Sequence, residues 1–334
     1  MTKIYLIRHA EAEGNVFRRM DGFYNSRITK LGEQQIAALR QRFEGVQIDA
    51  VYSSDLYRTC KTAEAIYVPR QLPLHKDARF REISFGSIED RNFGWLEHFT
   101  PEMQRNFSKA PEHWQADGAE TFFTATDRFL AGLRDLAERH EGQTIAVFSH
   151  GGITGWSMRR LYGENNSVSS CDNTGVCLLR FENGEFTPEY LYDNSHLSEA
   201  ISTRARQRWW RWTDKFNLWF RPAEPSDAAL VDPAFPPGPG VQEIAVRADE
   251  PVGYLSYDPA RGEITQLYLV PAHRNQRMGD QLIGEIVCPC RDRGLRQLSA
   301  AFDPQDPLSE HLLARHGAIV SPGRAVLDIA IPEY

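Results

Sequence analysis

His9 directly follows Arg8 at the end of the apolar run Ile4-Tyr5-Leu6-Ile7, and His150 lies just beyond a second run, Thr144–Phe148. A third short run, Asp49–Ser53, ends in polar residues and leads at once to Arg58 and Thr59. In an open α/β sheet, ligands bind beyond the carboxyl ends of the strands. Two histidines and two arginines from distant parts of the chain would therefore meet at one edge. Arginine forks match phosphoryl oxygens bidentately, and a neutral imidazole nitrogen can attack phosphorus. The set suits a phosphoryl dianion.

The runs that must position these residues read as strands buried on both faces of a parallel sheet. Between them the pattern turns helical. Ile36, Leu39 and Phe43 recur within Leu31–Phe43, Phe122, Phe129, Leu133 and Leu136 mark a longer helix, and Gly152–Tyr162 reads as another. Val176–Phe181 and Phe186–Tyr192 flank Asn183-Gly184, a favoured hairpin turn. Strands separated by helices predict an α/β fold, a three-layer, mostly parallel sheet with helices on both faces.

At roughly 150 residues per domain, 334 residues predict two domains. Composition changes after Leu197. Prolines at 222, 225, 233, 236, 237 and 239 predict a linker or wrapping segment. Beyond it, Val241–Arg247, Val252–Tyr257 and Ile264–Val270 read as strands. A helix (Met278–Cys288), a strand (Leu295–Phe302), a helix (Leu308–Arg315) and a strand (Ala325–Ile331) follow. The predicted organisation is a first domain over 1–197, an aromatic helix and Pro-rich linker over 198–240, and a smaller α/β domain over 241–334. Pro289 is expected to kink or end the helix it falls in. Trp209, Trp212, Phe216 and Trp219 step by 3, 4 and 3, which lines one helical face. Aromatics with arginines also suit a membrane surface or a nucleic acid, but a stripe at helical spacing more often packs. We read an interdomain helix docked on a neighbouring domain.

The net charge of −7 argues against a nucleic-acid-coating protein. No apolar run approaches the roughly 18 residues of a membrane span, and the N-terminus lacks the long apolar region of a secretory signal. Five cysteines, an odd number without paired zinc spacing, predict no structural disulfide. The expectation is a cytoplasmic protein with neither nucleic acid nor membrane as partner.

Leu6-Ile7-Arg8-His9-Ala10-Glu11 with Asn15 resembles the opening of the histidine phosphatase superfamily, the phosphoglycerate mutase-like fold. The resemblance continues through Ile28–Gln35, Ser53–Thr59, Arg81–Gly86, Gly118–Thr121 and Ser149-His150-Gly151-Gly152, and ends near Asn173-Thr174 and His196-Leu197. It implies that His9 is the nucleophile and becomes phosphohistidine. It also implies that Arg8, Arg58 and His150 hold the phosphoryl oxygens, with Asn15 and Gly151 beside them, and that Glu82 protonates the leaving alkoxide and then activates water. No metal or other cofactor is required, and the partner is a small phosphorylated metabolite. For His9 to present one neutral ring nitrogen, the other should donate to a backbone carbonyl. Ala10 stands where the family more often has glycine. In the family's mutases a basic residue and a tyrosine follow the glutamate; here Ile83 and Phe85 do, which favours water as acceptor. The resemblance implies a phosphomonoester hydrolase, with phosphoglycerate mutase-type transfer as the alternative.

Ile264–Leu282 resembles the strand, turn and helix start of the GNAT acetyltransferase fold. There an Arg/Gln-x-x-Gly-x-Gly turn offers backbone N–H groups to the coenzyme A pyrophosphate. The match here is Arg274-Asn275-Gln276-Arg277-Met278-Gly279, so Arg277 replaces the first glycine, and Leu313 stands where the family often has its acid tyrosine. Arg274, Gln276, Arg277 and Gly279 are the implied coenzyme A contacts, with acetyl-CoA as the cofactor. The alternatives are a bifunctional phosphatase/N-acetyltransferase, a structural appendage, a homodimer contact or a substrate-selecting wall.

Overall fold

The computed structural model describes residues 1–163, 171–207, 216–230, 240–301 and 307–334. In the first domain the chain runs β1 (Thr2–Arg8), α1 (Glu13–Phe17), α2 (Lys30–Arg42), β2 (Ala50–Ser53), α3 (Tyr57–Arg70) and β3 (Leu74–Lys76). It continues through α4 (Phe93–Phe99), α5 (Pro101–Lys109), α6 (Phe122–Arg139), β4 (Thr144–Ser149), α7 (Gly151–Tyr162), β5 (Val176–Glu182) and β6 (Glu185–Asp193). The sheet order is β3-β2-β4-β1-β5-β6. β1, β2, β3 and β4 are parallel, and β5 is antiparallel to both β1 and β6.

Alternation along the strands explains the three layers. Ile4, Leu6, Ile145 and Val147 pack under α6 and α7 with Phe129, Leu133 and Trp156. Ile7, Val51, Ala146 and Phe148 pack on the other face with Ile36, Leu39 and Ile66 of α2 and α3. At the β5–β6 turn both Asn183 and Gly184 have positive φ (53° and 83°), as a two-residue hairpin of this sequence requires.

The second domain is a seven-stranded sheet in the order β12-β13-β11-β10-β9-β8-β7. Its elements are β7 (Leu218–Pro222), β8 (Val241–Arg247), β9 (Glu250–Asp258), β10 (Glu263–Leu269), α9 (Met278–Asp292), β11 (Gln297–Ala301), α10 (Pro307–Arg315), β12 (Ile319–Ser321) and β13 (Arg324–Asp328). Among the described strands of this domain, only β10 and β11 pair in parallel. Ile283, Ile286 and Val287 of α9 pack on Leu255, Ile264 and Leu298 of the sheet.

Two expectations are corrected. The aromatic stripe does not continue as a helix to Arg221. The described helix α8 spans Thr203–Arg206, and Trp219 lies in β7, paired with Val246, its ring stacked on His98 at 4.0 Å between centroids. Trp209 and Trp212 lie outside the described residues. Pro222 closes β7 on the sheet's edge, where a missing N–H costs no ladder bond. Nor does Pro289 end α9, which runs on to Asp292. Pro289 cannot give the hydrogen bond to the carbonyl of Glu285 that another residue there would.

The domains pack closely. Val16 and Phe17 of α1 are buried in the second domain's core. Arg19 bridges Asp90 and Glu285, each at 2.7 Å, and Arg291 pairs with Glu13 at 2.9 Å.

Candidate active site

Strand register brings the site together. β1 and β4 pair so that Arg8 lies opposite Ser149, which leaves His9 and His150 as neighbours one step beyond. Their ring centroids are 5.2 Å apart. β2 pairs with β4 through Ser53 and Phe148, so Ser54 and the start of α3 reach the same edge. The loop before β5 returns there too, the N–H of Thr174 donating to the carbonyl of His9 at 3.2 Å.

Arg8, His9, Asn15, Arg58, Glu82 and Gly151 line one cavity of about 970 Å³. Nδ1 of His9 donates to the carbonyl of Ala10 at 2.7 Å, the bond expected of a ring whose Nε2 is left neutral. The N–H of Ala10 is itself held by Thr62 Oγ1 at 2.9 Å. Arg8 donates through Nη1 to the carbonyl of Cys171 at 2.6 Å, while its buried Nε has no partner. Arg58 is buried at 1% exposure, its Nη atoms on the carbonyls of Tyr24 and Gly22 at 2.8 and 2.7 Å. Asn15 Oδ1 accepts from Ala12 N–H and Asn173 Nδ2, both at 3.0 Å, which leaves its own amide hydrogens for the cavity.

Glu82 sits at the N-terminus of α7. Its carboxylate accepts from the N–H of Gly152 at 2.9 Å and of Ile153 at 2.6 Å. The pair Gly151-Gly152 follows from packing. A Cβ on Gly151 would lie 2.8 Å from Arg8 Nε, and one on Gly152 would lie 2.7 Å from Glu82 Oε1.

His150 lies deeper than the residues that line the cavity. It is fully buried behind His9 and is absent from the cavity lining. Its Nε2 meets Ser54 Oγ at 2.8 Å and its Nδ1 accepts from Arg58 Nε at 3.2 Å, so protein groups occupy both ring nitrogens. In this arrangement the ring links Ser54 to the guanidinium of Arg58.

Burial and the charges of Arg58 and Arg8 push the His9 pKa well below its ordinary value, against the Ala10 hydrogen bond. The ring is neutral at neutral pH. Sequence reasoning missed Asp21, which lines the same cavity and takes a hydrogen bond from Ser26 at 2.7 Å. Burial raises it to about 6, against the Arg58 charge and the Ser26 bond. It missed Asn173 as a site residue as well, although that side chain ties Asn15 to the His9 carbonyl at 3.1 Å. The motif blocks named neither role.

The implied coenzyme A contacts do not converge. Arg274 donates to its own loop at the carbonyl of Leu269 and lies over the Tyr268 ring, and Gln276 donates to the carbonyl of Ala272. Gly279 faces Leu312. Arg277, in the left-handed region at φ 64°, turns toward Asp280 at 3.6 Å. Asp280 fills the first turn of α9, 2% exposed, with His316 Nε2 at 2.8 Å and Arg315 at 2.5 Å. Burial opposes its charge, but His316, Arg315 and Arg277 together hold its carboxyl below the usual range. Asp280 is an acidic residue in the first turn of that helix, paired with side chains, and Leu313 is buried in the core. The side chains of Arg274, Gln276 and Arg277 are thus each engaged within or beside the turn.

A family model described as histidine phosphatase superfamily (branch 1) matches residues 4–194, and one for the acetyltransferase (GNAT) family matches residues 205–318. A curated relative named Probable phosphoglycerate mutase GpmB, from Salmonella choleraesuis (strain SC-B67), is 31% identical over 183 residues, covering 52% of this chain and 85% of its own. Among solved structures, Bacillus stearothermophilus YhfR matches with a TM-score of 0.56 at 30% identity, over 59% of this chain and 100% of that one. A mutant phosphoserine phosphatase from Entamoeba histolytica, in complex with phosphoserine, matches at 0.52 with 27% identity over the same shares. With more than half of its length matched, the chain belongs to the histidine phosphatase superfamily and carries a GNAT acetyltransferase domain after the phosphatase-type one.

Proposed function

We propose that the chain hydrolyses phosphomonoesters through a phosphohistidine, without a metal. The observation that carries this reading is a neutral, buried His9 fixed through Nδ1, beside the unpartnered Nε of Arg8. Nε2 of His9 forms the N–P bond as the ester P–O bond breaks, and Glu82 gives its proton to the departing alkoxide. Water then attacks phosphorus, the N–P bond breaks, and the water's proton returns to Glu82. Arg8 and Arg58 offset the charge that builds on the phosphoryl oxygens, and Asn15 adds a donor. His150 acts through Arg58.

Ile83 and Phe85 are both buried, and neither offers a basic or hydroxyl group to a phosphoglycerate. That supports water over a sugar-acid acceptor. The relative named as a probable mutase keeps phosphoryl transfer as the second reading. All five cysteines are free and buried, which suits a reducing, cytoplasmic location.

The test is hydrolysis of p-nitrophenyl phosphate by the full chain in the presence of a chelator, with acid-labile phosphate trapped on His9. His9→Ala should abolish both signals. Turnover that survives the substitution, or that needs an added phosphoglycerate, rejects the hydrolase.

A further inference from the structure

The cavity above His9 is not closed by the first domain alone. Its lining passes from Arg8, His9 and Glu82 to Thr203, Arg204 and Gln207 of the connecting segment, and then to Phe216 and Asn217, which lead into β7. These last five residues lie beyond the phosphatase match, which ends at residue 194.

Both parts of this wall are anchored. Arg18 Nε donates to Asn217 Oδ1 at 2.8 Å, and the Asn217 amide donates to Glu97 of α4. Phe216, 4% exposed, shares the second domain's core with Val16 and Phe17 of α1. Gln207 Nε2 reaches the carbonyl of Asn15 at 3.5 Å, and Arg204 takes its place through its N–H on Asp172 at 3.1 Å.

A cavity of about 970 Å³ is far larger than a phosphoryl group with a three-carbon alcohol would fill. Its distal part joins the rings of Phe93, Phe107 and Phe216 to the amides of Gln104, Gln207 and Asn217. Rings give flat apolar contact, and carboxamides both donate and accept. Asn217 is engaged by Arg18 and Glu97 and shapes the wall, while Gln104 and the Gln207 oxygen supply the polar edge. A flat heteroaromatic ring with a hydrogen-bonding edge uses both, whereas a short acyclic alcohol reaches neither.

We propose that Thr203–Gln207 and Phe216-Asn217 form the specificity wall of the phosphatase pocket and select phosphomonoesters of nucleoside size. The inference rests on the hydrolase reading of His9. It gives the acetyltransferase-like domain a task that needs no acetyl-CoA.

Steady-state kinetics of the full chain on adenosine monophosphate, glycerol phosphate and p-nitrophenyl phosphate test it. The nucleotide should exceed glycerol phosphate in kcat/KM by about tenfold or more. Arg204→Ala and Asn217→Ala should each shrink that preference by about fivefold or more, through KM for the nucleotide. Arg204 is exposed, so its replacement opens no core and decides the matter if Asn217→Ala does not fold. A wild-type preference for glycerol phosphate, or equal losses on both esters, overturns the wall. His9-dependent turnover of p-nitrophenyl phosphate with no nucleotide preference leaves the hydrolase standing and removes only this inference. A chain inert on all three removes both.

Discussion

Arg58 Nε donates to Nδ1 of His150 at 3.2 Å, and this bond fixes the protonation of the ring. A nitrogen that accepts carries no hydrogen, so Nε2 is the donor, and it points to Ser54 Oγ at 2.8 Å. His150 is neutral, and burial with the charges of Arg58, His9 and Arg8 pushes its pKa well below the ordinary value.

The pH dependence follows. His9 and His150 both titrate below 6.5 in the folded chain. Their contribution to stability is therefore present above 6.5 and is lost as pH falls through the lower folded values. Turnover of p-nitrophenyl phosphate should likewise persist as pH drops past 6.5, with its acid limb displaced downward. Arg58→Gln removes a nearby positive charge, so that limb should move back up while kcat/KM falls on the order of a hundredfold. A wild-type limb at 6.5 that stays in place in the variant contradicts this account.

The sequence made His9, Arg8 and Glu82 legible because each lies in a motif block beside a recognisable strand or turn. The helix α3 was harder. Its buried face carries Arg58, Thr59 and Thr62 among Cys60, Ala63 and Ile66, so the side chains that serve the site interrupt the apolar stripe that marks a helix. Trp219 misled for the opposite reason. Its spacing from Trp209, Trp212 and Phe216 matches a helical period, but pairing with β8 decides its conformation, and no local pattern reveals a partner strand. Asp21 lay in no block at all, since its place in the site comes from how the loop before α2 folds over Arg58.

Glu82 is held where α7 begins, and that geometry separates two substrates. Glu82→Gln keeps the shape but cannot deliver a proton, so an alkyl phosphate should lose about a hundredfold or more in kcat/KM relative to p-nitrophenyl phosphate, whose phenolate leaves unaided. kcat/KM is the measure because the later hydrolysis of phosphohistidine is common to both. Gly152→Ala should act in the same direction, because its methyl would sit 2.7 Å from Glu82 Oε1 and push the carboxyl away. Equal losses on both esters would take Glu82 out of the acid role.

Asp21 burdens the folded state near neutrality. Its carboxyl titrates at about 6, raised from 3.8 by burial against the Arg58 charge and the Ser26 hydrogen bond. The stability linked to it is full below 3.8 and is lost as pH rises through 6. Asp21→Asn keeps an acceptor for Ser26 and removes the titration. Urea unfolding should find the variant gaining on wild type between pH 4 and pH 8, by about 1–3 kcal/mol. A difference that does not change with pH rules the linkage out.

The contact between α1 and α9 ties the phosphoryl pocket to the second domain. A Cβ on Gly284 would lie 2.5 Å from Cβ of Phe17, so any side chain there must push α1 away. Phe17 is 3% exposed, and two residues before it Asn15 faces the cavity. His9, by contrast, follows β1 and is held from the opposite side by Ala10, Ser149 and Thr174. Gly284→Val should therefore cost about 1–3 kcal/mol of stability. It should also raise KM for p-nitrophenyl phosphate, and Ki for inorganic phosphate, more than it lowers kcat, since a binding group shifts while the nucleophile stays. Thermal unfolding and phosphate inhibition on the same preparation read both effects. A destabilised variant with unchanged phosphate affinity means that α1 yields without displacing Asn15, and the second domain then has no hold on the phosphoryl site through this helix.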